Sequence, residues 1–127
     1  MMKVLATDKA PAAIGPYSQA VRCGDFVYVS GQLPIDPATG AFAGEGIADQ
    51  TRQSLTNIKS ILESEGLSMA NVVKTTVLLK NISDFGAMNV VYATFFTGAC
   101  PARAAFEVAA LPKDALIEIE AVAYCKE

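Results

Sequence analysis

Residues 101–120 read PARAAFEVAALPKDALIEIE, and in them Arg103, Glu118 and Glu120 stand among alanine, valine, leucine and isoleucine. Pro101 biases the chain toward extended structure, and Ala104 to Ala110 reads as a strand with small residues on both faces. Little bulk is available there to shield the Arg103 guanidinium. A second strand, Leu116 to Tyr124, puts Ile117, Ile119, Ala121 and Ala123 on one face and Leu116, Glu118, Glu120, Val122 and Tyr124 on the other. Pro112-Lys113-Asp114 is turn chemistry able to fold this strand back beside the first, bringing Arg103 and Glu118 into one neighbourhood. That pairs an anion binder with a candidate base. The same pattern also suits a solvated strand face or a cross-strand ion pair worth only ~0.2–1 kcal/mol.

Working outward, Pro11 and Pro16 flank Ile14-Gly15, so the N-terminal segment reads as irregular and extended until Tyr17 leads into a strand, Ser18 to Cys23. Tyr17 suits either a packed core tyrosine or a pocket wall. Gly24-Asp25 fits a two-residue hairpin loop, returning through the strand Phe26 to Gln32. In that strand Phe26, Tyr28 and Ser30 share one face and Val27, Val29 and Gly31 the other, with Gly31 marking a bulge or a close approach. Leu33 to Phe42, with Pro34, Pro37 and Gly40, is loop with at most a short edge hairpin.

From Gly46 to Glu65, Ile47, Thr51, Leu55, Ile58, Ile61 and Leu62 follow a helical period and Gly66 is placed to end it; Asp49, Arg52, Gln53, Lys59 and Glu63 fall to solvent. Val72 to Lys80 is a β-rich run with Val73, Thr75, Val77 and Leu79 on one side, which predicts a central strand. Ser83 offers an N-cap for a second helix whose stripe is Phe85, Met88, Tyr92, Phe95 and Phe96 and whose end is Gly98. Those aromatics read as core, and Asn89 lies at the stripe's edge.

Composition narrows the functions available. At 127 residues the chain fits one domain, 1–127, and its 52% hydrophobic content exceeds the usual ~45–50%, implying apolar surface buried between subunits. The charge is −3 and the basic residues are scattered, so nucleic acid is not expected as the main partner. With no basic and apolar leader and no apolar run near the ~18 residues that span a bilayer, a soluble cytoplasmic protein is expected. Cys23, Cys100 and Cys125 are odd in number and lack zinc-site spacing. There is no histidine, which removes serine-histidine triads and most catalytic zinc sites.

The element order predicts an α+β domain: a mixed sheet with two helices on one face. The uncovered face is then most economically packed against identical subunits, with charged groups in clefts between chains.

APAAIGPYSQAV, VYVSGQLPIDPATG, QTRQSLTNIKSILESEG, VVKTTVLLKNISDF and PAR followed by VAALPKDALIEIEAVA together resemble the RidA/YjgF family of reactive-intermediate deaminases over essentially the whole chain, the last stretch being the most specific. The resemblance implies a chorismate-mutase-like fold and a homotrimer with sites at subunit interfaces. It further implies cofactor-free hydrolysis of short 2-imino or enamine acids (2-aminoacrylate/2-iminopropanoate, 2-iminobutanoate) to 2-oxo acids and ammonia. It assigns carboxylate binding to Arg103, water positioning to Glu118 and a pocket wall to Tyr17, with Ser30, Gly31 and Asn89 lining the pocket. Ala105 stands where many members have cysteine, leaving only its backbone groups, and Ala104 where many have serine. The loop Thr97 to Cys100 is shorter than in some members. A non-catalytic, carboxylate-binding regulatory trimer is the alternative from another class. A ribonuclease, the reading attached to some relatives, fits poorly with an acidic chain lacking histidine.

Overall fold

The structure is a computed structural model describing residues 1–126. Six strands form one sheet in the order β1-β2-β3-β6-β4-β5: β1 Met2–Leu5, β2 Ala20–Cys23, β3 Phe26–Gln32, β4 Val72–Leu79, β5 Ala102–Glu107 and β6 Ile117–Tyr124. Helix α1 (Ile47–Glu63) joins β3 to β4, and α2 (Phe85–Ala93) joins β4 to β5. Both pack on one face of a mixed sheet, the α+β arrangement expected. The β4–β5 pair is parallel, as a helical crossover requires; the other pairs are antiparallel.

Period-two alternation decides which face each strand residue takes. Val27, Val29, Val77, Leu79, Ile117, Ile119 and Ala123 lie under the helices with at most 3% exposure. Each large side chain among them contributes about 1.5–3 kcal/mol by leaving water. The α1 stripe of Leu55, Ile58, Ile61 and Leu62 is sealed completely on the same core. The helix ends where its sequence says it should: Gly66 takes φ 78°, and the Leu67 and Gly66 N–H groups donate to the Leu62 and Glu63 carbonyls at 2.9 and 3.0 Å, a Schellman closure.

Several expectations need correction. β1 was not foreseen in the irregular N-terminal segment; it pairs with β2, and the Lys3 and Arg22 ammonium and guanidinium groups both bind Glu65 at 3.0 and 3.1 Å, tying that edge to the end of α1. In β4 a register shift between Val72 and Lys74 turns Val72 inward and leaves Val73 exposed. The bulge marked at Gly31 is present, but it reverses the alternation: Gln32 turns in and Gly31 out. Ser83 is not a cap, because a 3-10 turn, Ile82–Asp84, runs directly into α2 and the Glu107 carboxylate accepts the Ile82 N–H at 2.9 Å. Helix α2 also stops at Ala93, short of Gly98.

β6 does not fold back beside β5: β4 lies between them, hydrogen-bonded to both. The connecting turn, Pro112–Asp114, with Lys113 and Asp114 at φ 56° and 59°, passes over the end of β4. It is pinned there by Lys80, whose side chain meets Asp114 at 2.7 Å and whose N–H donates to Leu116 O at 2.9 Å.

Two buried hydroxyls on the core side of α1, Thr51 Oγ1 and Ser54 Oγ, have no hydrogen-bond partner among the described residues. An isosteric Thr51→Val change is expected to raise unfolding stability by about 1 kcal/mol, because an unsatisfied hydroxyl is replaced by a methyl. Urea midpoints at fixed protomer concentration check this; a lower midpoint would show that Thr51 is satisfied in solution.

Candidate functional site

The residues singled out in the sequence fall into two clusters. The first surrounds Arg103 on the free edge strand β5. Arg103 is in register with Thr75, and Thr75 with Ala121, both buried beneath the helices, so its side chain turns to the helix side and lies against α2. Its Nη1 donates to Asn89 Oδ1 at 2.6 Å, and its guanidinium carbon sits 4.8 Å from the Tyr92 ring centre and 5.2 Å from that of Phe85. Among the described residues the remaining donors of the fork have no partner, which leaves them able to bind an anion. Ala105, two residues on, packs its methyl on the core beside Val77. Because the Val108 N–H donates to Leu79 O, alternation turns the Ala104 and Phe106 N–H groups toward β4 and leaves the Ala105 N–H at the open edge. A backbone donor therefore accompanies the guanidinium.

The second cluster lies on the uncovered face. Glu118 alternates with the buried Ile117 and Ile119 and leans over Gly31, where any Cβ would collide with its Oε2. Glycine at the bulge is thus what lets the carboxylate lie down on β3. Among the described residues Glu118 has no hydrogen-bond or ion-pair partner. Half-burial, and next the charge of Glu120 on the same face, push its pKa above the ordinary carboxylate value of 4.5. Ser30 donates its hydroxyl to Ser18 O at 2.6 Å and its N–H to Gln19 O at 2.9 Å, anchoring the loop that carries the exposed Tyr17. Gln19, itself buried, binds Thr7, Ala10 and Pro11 and moulds the same loop. Tyr17 borders a shallow cleft of about 490 Å³ against Val4 to Asp8.

Arg103 and Glu118 therefore do not meet in one chain. They point to opposite faces, two strands apart and offset by three residues of β4, roughly 10 Å in each direction. The sequence reading that joined them through a hairpin fails because β4 is inserted. It also gave Phe85 and Tyr92 to the core, missing their part in holding Arg103; the signal was there in the Phe85, Asn89, Tyr92 spacing, which puts two rings and an amide on one helix stripe. Among the described residues no group of three or more His, Cys, Asp or Glu side chains is placed to hold a metal, and no helix is long and apolar enough to cross a membrane.

The chain is thus an α+β domain with a carboxylate on an uncovered sheet face and a guanidinium at a free edge. Residues 7–125 match the family described as Endoribonuclease L-PSP, and the chain belongs to that family, which includes RidA and YjgF. It is 54% identical over 121 residues to the 2-iminobutanoate/2-iminopropanoate deaminase of Rattus norvegicus, covering 95% of this chain and 88% of the relative. It is 53% identical to the protein of the same name from Salmonella typhimurium, covering 97% and 98%. The solved YjgF chain of E. coli superposes with a TM-score of 0.94 at 49% identity, covering 98% and 99%.

The raised pKa of Glu118 has a signed consequence. Its folded-state value lies above its unfolded one, so its contribution to stability is fully present below the ordinary carboxylate value of 4.5 and is lost as pH rises through the folded value. At neutral pH the ionised carboxylate therefore costs stability. Glu118→Gln is expected to melt higher than the parent at pH 7, with the difference closing toward pH 4; a lower melting temperature at pH 7 would show that the carboxylate is favourably paired.

Proposed function

We propose that this protein hydrolyses short 2-imino and enamine acids (2-aminoacrylate/2-iminopropanoate, 2-iminobutanoate) to 2-oxo acids and ammonia, at sites shared between subunits of a homotrimer in the cytoplasm. The observation that carries the reading is the half-buried, unpartnered Glu118 on one surface and the anion-ready Arg103 on another, in a chain whose relatives at 53–54% identity are named imine deaminases. Neither half is a site alone. The face bearing Glu118 also exposes Val4 at 56%, Tyr28 at 48%, Phe26 at 37% and Phe106 at 46%, a patch suited to burial by another copy. A contact that joins two different patches of the same chain is head-to-tail and propagates until a ring closes. The family resemblance supports a ring of three.

In this arrangement Arg103 and the Ala105 N–H of one subunit grip the substrate carboxylate, fixing C2 relative to the cleft. Glu118, Gly31, Ser30 and Tyr17 of the neighbour supply the opposite wall, and Asn89 steadies the guanidinium. Glu118 orients a water at the imine carbon and takes its proton as the C–O bond forms. That proton passes to nitrogen to give the carbinolamine; its hydroxyl proton then follows to nitrogen by way of the same carboxylate as C=O forms and the C–N bond breaks, so ammonia leaves with the 2-oxo acid as co-product. The imine is electrophilic enough for water to add without a covalent intermediate.

The test is a coupled assay in which an amino-acid oxidase or dehydratase generates the imine and its loss is followed. The parent protein is expected to accelerate that loss, and Arg103→Ala to lower kcat/KM by about 100-fold or more through loss of two charge-assisted hydrogen bonds. No acceleration over spontaneous hydrolysis, or equal acceleration by Arg103→Ala, would reject the proposal. Tight 2-oxo acid binding without turnover would favour the regulatory carboxylate binder instead.

A further inference from the structure

Arg103 leaves the sheet at a free edge, where a long side chain has many rotamers available, yet it is held from three directions by one helix. Phe85, Asn89 and Tyr92 follow one another at i, i+4 and i+7 on α2. The two rings lie beneath the guanidinium at 5.2 and 4.8 Å, and the amide oxygen takes one N–H at 2.6 Å. The Tyr92 ring is fixed in turn: its hydroxyl shares a buried 2.7 Å hydrogen bond with Thr75 Oγ1 on β4, and its ring packs on Phe96 at 4.7 Å. Thr75 is the residue opposite Arg103 in the β4–β5 register. Strand, helix and guanidinium thus close a loop of contacts in which the hydroxyl belongs to the core and the ring face to the arginine.

We propose that Phe85 and Tyr92 form an aromatic bed that pre-sets the plane and direction of the Arg103 fork, making them positioning residues for carboxylate binding, while the Thr75–Tyr92 bond serves only to hold that bed on the sheet. The inference rests on the carboxylate-binding role proposed above for Arg103. A cation over a ring face is attracted by the ring's quadrupole, and a guanidinium stacks on it flat, so the bed restricts the fork to one plane before substrate arrives. A fork already aligned loses less freedom on meeting a planar carboxylate, so the bed acts on substrate affinity and leaves the chemical step alone.

The experiment compares Tyr92→Leu, Phe85→Leu and Thr75→Val in two readouts, steady-state kinetics with imine generated in the assay and the Arg103 Nε–Hε resonance in ¹⁵N NMR of the ligand-free protein. The two leucine variants are expected to raise KM about three- to tenfold while kcat stays within about twofold, and to lose the upfield ring-current displacement of the Arg103 resonance. Thr75→Val keeps the ring, so it is expected to lower the melting temperature with KM within about twofold of the parent. A purely structural role would move melting temperature and not KM. Leucine variants with parental KM and an unmoved Arg103 resonance overturn the proposal. Should Tyr92→Leu not fold, Phe85→Leu at the rim of the bed carries both readouts. If the parent shows no turnover, the deaminase reading fails, and the resonance alone decides whether the bed exists.

Discussion

β4 hydrogen-bonds to β6 along one side and to β5 along the other, and this double pairing fixes where Arg103 and Glu118 point. Val77 and Leu79 of β4 and Ile117 and Ile119 of β6 are fully buried beneath the helices. A slip of one residue between β4 and β6 would turn one strand's buried pair to water, at twice the ~1.5–3 kcal/mol of a single side chain. With the registers held, Arg103 shares its parity with Thr75 and faces α2, and Glu118 shares its parity with Leu78 and faces away. The core therefore separates the two charged groups that the proposed chemistry needs together.

The two faces carry different electrostatics. On the helix side the guanidinium is supported by rings and an amide and keeps most of its donors free. On the other side the carboxylate lies against a glycine with no counter-charge, its ionised form disfavoured by half-burial and by Glu120. Such groups are rarely kept without use, because an unpaired, partly desolvated charge costs stability. Each cluster is what the other lacks, and the exposed apolar residues around Glu118 supply a reason for a second copy to approach.

Much of the fold was legible in the sequence because the signals were local. The Gly24-Asp25 hairpin, the α1 stripe with its Gly66 closure, and the alternation of Ile117 to Ala123 each rest on residues within a few positions of one another, and each is present. What escaped was decided at long range. Inserting β6 between β3 and β4 depends on the whole core, and no feature of Pro112-Lys113-Asp114 distinguishes a turn into the next strand from a turn over it. The bulge at Gly31 was readable from the glycine, its effect on facing was not. The residue types of the candidate site were readable, since an arginine and a glutamate in apolar strands are conspicuous. Their division between two surfaces was not, because it follows from the parity of a third strand.

Shared sites can be demonstrated by complementation. Arg103→Ala and Glu118→Ala proteins, each inactive as a homo-oligomer, are co-expressed or refolded together and assayed for imine hydrolysis. If every site takes its guanidinium from one subunit and its carboxylate from the next, random mixing restores roughly one intact site in four, and activity returns to about a quarter of the parent's. Mixtures that assemble yet stay as inactive as either variant would mean that both groups act within one chain, contrary to the geometry of the sheet.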